Sequence, residues 1–141
     1  MTVDEVINEL VRVWNAGDSA GWAACFAEDA VFVDVLGRVQ RGRTVIAREH
    51  RKIFDTIYRG SRLEIRAESS RPLADGLLLV HSTSTLRVPD GPRAGETRAV
   101  QTMLLADGLV LAFQNTIRSA VSGFAKGDEE LGRLDPLGWG A

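Results

Sequence analysis

Asn15-Ala16-Gly17-Asp18, followed by Phe26-Ala27-Glu28-Asp29-Ala30-Val31-Phe32-Val33-Asp34-Val35-Leu36-Gly37 and closing on Arg41-Gly42-Arg43, decides how this chain folds. The stretch reads as a helix end, a second short helix, a strand and the start of a third helix. A strand over Val31–Leu36 has a side-chain period of two, so Phe32, Asp34 and Leu36 share one face and Val31, Val33 and Val35 the other. Neither face is polar, so Asp34 is expected to point into the protein. A carboxylate there loses hydration and either finds a partner or has its pKa raised, which is how a small pocket acquires a general base. The alternative is that Asp34 ends its strand early and is satisfied by a turn amide.

Working outward, Val3, Val6, Ile7, Leu10, Val11 and Trp14 recur at helical spacing and predict an amphipathic helix to about Ala16. Gly17 suits its C-terminal cap, and Asp18 or Ser19 caps a short helix from about Ser19 to Ala27. A third helix is expected from Arg43 to Tyr58, with His50 inside the stripe formed by Ile46, Ile53, Phe54 and Ile57. After Gly60 the period changes to two. Leu63, Ile65 and Ala67 alternate with Arg62, Glu64, Arg66 and Glu68, as in an antiparallel strand with one wet face.

Further strands are expected over about Leu77–Val88, Thr97–Ala106 and Leu109–Arg118, with Asp107-Gly108 as a tight hairpin turn. Three helices followed by such a meander predict an α+β fold. Its antiparallel sheet bends strongly around the three N-terminal helices, and the open end of the resulting cone is a natural pocket. Residues 119–141 read as a C-terminal tail whose Leu131, Leu134, Leu137 and Trp139 dock on a neighbour.

The chain of 141 residues suits one domain with a core and one ligand cavity. A net charge of −2 argues against a nucleic-acid partner, which needs a basic surface. The single cysteine, Cys25, reads as a buried thiol and leaves no intrachain disulfide. Nothing approaches the roughly 18 consecutive apolar residues of a membrane span. The expectation is a soluble, cytoplasmic protein without a membrane partner. Two distant histidines make no metal shell, and glycine-rich phosphate loops are absent, so no metal and no cofactor is expected.

The quoted segment and the order of elements resemble the nuclear transport factor 2-like superfamily, over about residues 3–118. Asn15 to Ile46 is similar to ketosteroid isomerases and SnoaL-type polyketide cyclases. Ala112-Phe113-Gln114-Asn115-Thr116 is similar to the SgcJ/EcaC group found among enediyne biosynthetic proteins. The resemblance puts Asp34 on the isomerase's general base and Gln101 on its protonated, hydrogen-bond-donating aspartic acid. Leu10 falls on the oxyanion tyrosine, a departure that withholds the steroid-isomerase mechanism. His50 replaces a supporting tyrosine.

Asp34, His50 and Gln101 are therefore the candidate catalytic residues. Trp14, Phe32, Phe54, Met103, Phe113 and Asn115 are the candidate substrate-binding residues. For His50 the competing reading is a satisfied core histidine; for Gln101 and Asn115 it is a pair that satisfies each other's amides. The orientation of His81 is undetermined. The expected function is cofactor-independent proton transfer on an apolar metabolite of polyketide or enediyne type, as isomerase, cyclase or dehydratase. The alternative is a non-catalytic carrier of a hydrophobic intermediate. The fourth strand carries no Lys or Glu between Leu77 and Leu86, and a homodimer through such a face is expected.

Overall fold

The structure is a computed structural model that describes residues 1–126 and 128–133. Helix α1 (Val3–Asn15) starts at Thr2, whose hydroxyl accepts from the Glu5 amide at 3.1 Å. Asp18 caps α2 (Ser19–Ala24) by accepting from the Gly21 amide at 2.9 Å. Strands β1 (Phe26–Val33) and β2 (Val39–Arg41) precede α3 (Arg43–Phe54). The long strands follow: β3 (Arg62–Ala74), β4 (Leu77–Val88), β5 (Gly95–Ala106) and β6 (Leu109–Ile117). They form one six-stranded sheet in the order β2-β1-β6-β5-β4-β3. Asp107 and Gly108 both have positive φ, 53° and 76°, which is what the tight β5–β6 turn requires.

The sheet wraps α1, α2 and α3. Val6, Leu10, Val13 and Trp14 from α1 meet Trp22 from α2 and Ile46 and Phe54 from α3 in one core with Phe26, Phe32, Val80, Met103 and Phe113. Cys25 is buried there, and burial pushes its thiol up to about 11. Among the described residues no helix is long and apolar enough to cross a membrane.

Four local expectations need correction. Helix α2 stops at Ala24 rather than Ala27, because Phe26 already pairs with Val110 of β6 and the Cys25 carbonyl accepts from the Val110 amide at 2.9 Å. That pairing is parallel, unlike every other pair in the sheet, and no local pattern announces it. Strand β1 accordingly starts early and ends at Val33. Asp34 therefore lies in the turn beyond the strand, and Leu36 is 79% exposed instead of sharing the buried face of Phe32. Helix α3 ends at Phe54, not Tyr58, where the Tyr58 amide turns back to the Ile53 carbonyl at 2.8 Å.

Strand β3 runs on to Ala74, past the alternating residues, because β4 continues to pair with it up to Ala74–Leu77. His81 is exposed on the outer sheet face. The tail contains two short helices, α4 (Val121–Ala125) and α5 (Glu129–Gly132). The docking residues expected there fall outside the described residues, namely Leu134, Leu137, Trp139 and the side chain of Leu131.

Candidate functional site

A cavity of about 140 Å³ opens between α3 and the concave sheet face. Asp34, His50 and Gln101 all line it, as do Trp14, Phe32, Phe113 and Asn115. Phe54 and Met103 do not; both are buried in the core, Phe54 with its ring 4.7 Å from that of Trp14.

Asp34 stands at the cavity mouth with its side chain 15% exposed. Its Oδ1 accepts from the Leu36 and Arg38 amides at 2.9 and 3.0 Å, and its Oδ2 from Arg38 Nε at 2.8 Å. Burial alone would raise the pKa of this carboxyl. The Arg38 and Leu36 amides and the Arg38 guanidinium outweigh it, so Asp34 sits below the usual carboxylate value. The raised pKa expected of an isolated base is thus not found; the alternative reading, in which Asp34 ends its strand and is satisfied by turn amides, is the one present, with the Arg38 guanidinium added. The cause is a tight turn: Gly37, at φ 78°, lets its amide reach the Asp34 carbonyl at 2.9 Å and brings Arg38 back over the carboxylate.

His50, only 2% exposed, is held from α3 into a box of rings. Its centroid lies 4.8 Å from Phe32, 5.2 Å from Trp22, 6.0 Å from Phe54 and 6.2 Å from Trp14. Nδ1 lies 2.8 Å from the Ile46 carbonyl, which can only accept, so Nδ1 carries the proton and Nε2 the lone pair. The sequence left open whether Asp34 would charge this imidazole. Burial pushes its pKa down to about 4, against the smaller upward pulls of the Ile46 carbonyl and Asp34, and the ring is neutral at pH 7.

Gln101 is 3% exposed and its amide is fully engaged. Ser82 Oγ donates to Oε1 at 2.7 Å, while Nε2 donates to Ser84 Oγ at 2.8 Å and to Asn115 Oδ1 at 3.0 Å. The pairing of Gln101 with Asn115 weighed from the sequence is thus present, enlarged by two serines. Both serines are on the inward face of β4, where a hydroxyl at every second position opposite Gln101 is the readable signal for this network. Arg38 carried no such signal, since its partnership with Asp34 depends on the turn. Trp14 Nε1 donates to Ser61 Oγ at 3.0 Å, whereas the buried Trp22 Nε1 and Gln40 Oε1 have no partner among the described residues. Among the described residues no cluster of histidine, cysteine or carboxylate side chains could hold a metal ion.

The SnoaL-like domain family matches residues 7–113, from within α1 through α2, α3 and the sheet as far as Phe113 of β6. The chain belongs to the SnoaL-like domain family. This SnoaL-like chain is 23% identical to a domain of unknown function with a cystatin-like fold from Nostoc punctiforme, with a TM-score of 0.73 over 92% of this chain and 86% of that one. An NTF-2 like protein from Shewanella oneidensis is 13% identical, with a TM-score of 0.69 over 81% and 95% of the respective chains. A ketosteroid isomerase-like protein from Erwinia carotovora atroseptica is 12% identical, again with a TM-score of 0.69, over 83% and 94%. At these identities the likeness is one of fold. No curated protein matches the sequence. In this SnoaL-like chain Leu10, fully buried in the core, brings no hydroxyl to the cavity.

Proposed function

We propose that this SnoaL-like protein is a cofactor-independent enzyme that moves a proton on an apolar small molecule, in the manner of an isomerase, cyclase or dehydratase. The observation that carries this reading is that an ionised carboxylate, Asp34, and a neutral imidazole, His50, share one mainly apolar cavity, whose polar lining also includes Arg38, Glu49, Gln101 and Asn115. Asp34 at the mouth removes a proton from a carbon acid, and burial of the substrate beside it strips water from both. Asp34, protonated in that step, returns the proton at another atom of the same molecule, while His50 Nε2 accepts a hydrogen bond deeper in. The volume of about 140 Å³ is below the roughly 300–1,000 Å³ of drug-sized sites, so one ring or one end of a larger molecule enters. The resemblance of Ala112–Thr116 to enediyne biosynthetic proteins is what points to a polyketide or enediyne metabolite.

The test is deuterium exchange. Incubating the full chain with 2-cyclohexenone in heavy water and following the ring protons by NMR is expected to show exchange faster than buffer and slowed at least tenfold by Asp34→Asn. Exchange no faster than buffer rejects the catalytic reading.

A second reading, a carrier that binds such a molecule without chemistry, is favoured by one observation. Every donor of the Gln101 amide is already spent inside the protein, which leaves that residue nothing for a developing oxyanion. Ligand affinity without exchange supports it.

We also propose a homodimer through the outer sheet face, where Val31, Val33, Val100, Thr102, Leu104 and Thr116 line an uncharged depression. A C2 pair would cover this patch with its own copy.

A further inference from the structure

We infer that the molecule taken by this cavity carries a hydroxyl group that donates its hydrogen bond to His50 Nε2, so that the ligand is a hydroxylated ring. The inference rests on the reading of the cavity as a ligand site and names the chemistry that the site selects.

His50, a buried residue in the cavity lining, has a ring nitrogen that the described residues do not pair. Its Nδ1 proton goes to the Ile46 carbonyl at 2.8 Å, and Nε2 has no hydrogen bond among the described residues. The surrounding phenyl rings have nothing to donate. Of the two neighbouring indoles, Trp14 gives its N–H to Ser61, and the N–H of Trp22 reaches no acceptor among the described residues, His50 included. An acceptor that faces a mainly apolar cavity favours a ligand that can supply a donor to it. A ketone oxygen or a hydrocarbon cannot.

The donor is a neutral hydroxyl rather than an ammonium ion. The same burial that keeps the imidazole uncharged penalises a cation beside it, and the two carboxylates that bear on it, Asp34 and Glu49, are already compensated by Arg38 and Lys52. The rest of the wall, from Phe32 and Trp22 to Ile53, Leu63 and Ile65, suits a ring. Asn115, whose Nδ2 has no partner among the described residues, offers a second polar contact on the sheet side.

The experiment is an NMR titration of the full chain, ¹⁵N-labelled on histidine, with phenol, toluene, cyclohexanol and cyclohexanone. Phenol is expected to bind about five- to tenfold more tightly than toluene, and cyclohexanol more tightly than cyclohexanone, as one hydrogen bond gained at a buried site implies. The Nε2 resonance of His50 moves upfield with phenol and cyclohexanol and stays in place with toluene. His50→Phe abolishes the preference while toluene still binds; should that variant not fold, the Nε2 shift of the wild-type protein decides. Equal affinities, or a stationary Nε2 resonance, overturn the inference and leave the ligand site standing. Binding by none of the four probes removes the ligand site itself, and this inference with it.

Discussion

Asp34 and Arg38 close the turn after β1 on one another: Arg38 donates its backbone amide to Oδ1 at 3.0 Å and its Nε to Oδ2 at 2.8 Å. The carboxylate that lines the cavity mouth is therefore also the clasp of the turn that forms that mouth. Its two tasks make different demands. Clasping needs an acceptor, whereas proton transfer needs a charge.

Replacement separates them. Asp34→Ala is expected to destabilise the protein by about 1–2 kcal/mol through loss of the amide and guanidinium contacts. Asp34→Asn, which still accepts from the amides, is expected to lose less than half of that while losing any proton-transfer activity. Urea denaturation of both variants checks the order; equal losses would show that the charge, and not the acceptor, holds the turn.

The pH dependence of stability follows from His50. Its folded pKa, about 4, lies below the ordinary 6.5, so the unfolded chain binds the proton first as the pH falls. The contribution is fully present above pH 6.5 and is lost progressively between 6.5 and 4. Melting temperature is expected to be flat above 6.5 and to fall below it. His50→Gln should flatten the curve between pH 6.5 and 5, and a wild-type melting temperature unchanged over that interval would exclude a buried neutral imidazole.

The Gln101 network sets a third expectation. Gln101→Leu removes the partner of Ser82, Ser84 and the Asn115 side chain at once, leaving polar atoms unpaired in the sheet. The cost is expected at about 2–4 kcal/mol, above that of a surface change, by chemical denaturation. Adding Ser82→Ala and Ser84→Ala to the leucine variant should recover part of it, because the donors and acceptors then leave together.

Dimerisation is tested on the outer sheet face. Val100, 37% exposed, and Thr102 stand at its centre. Val100→Glu with Thr102→Lys is expected to give monomers by sedimentation velocity at micromolar concentration, where the wild-type chain sediments as a dimer. A monomeric wild type under those conditions ends the dimer proposal.

What the sequence by itself determined was most of what local period carries. The α1 stripe, the hydrophobic seam of α3 with His50 in it, the alternation of β4 to β6 and the Asp107-Gly108 turn were legible because each depends on residues a few positions apart. So was the inward face shared by Ala99, Gln101 and Met103. Tertiary structure decided the rest. The parallel pairing of β1 with β6 pulled Phe26 out of helix and into strand, since a backbone hydrogen bond to Cys25 from a residue 85 positions later outweighs a weak local preference for helix. That shift moved Asp34 off the end of its strand. Its ionisation then passed from burial, which the apolar flanks suggested, to Arg38, which only the folded turn delivers. His50 went the opposite way: the rings that enclose it come from α1, α2, β1 and its own helix, and they alone make it neutral. A charge is settled by what surrounds it in space, and that is why most of the residues expected at the cavity line it, Phe54 and Met103 excepted, while the protonation of Asp34 and His50 was not legible.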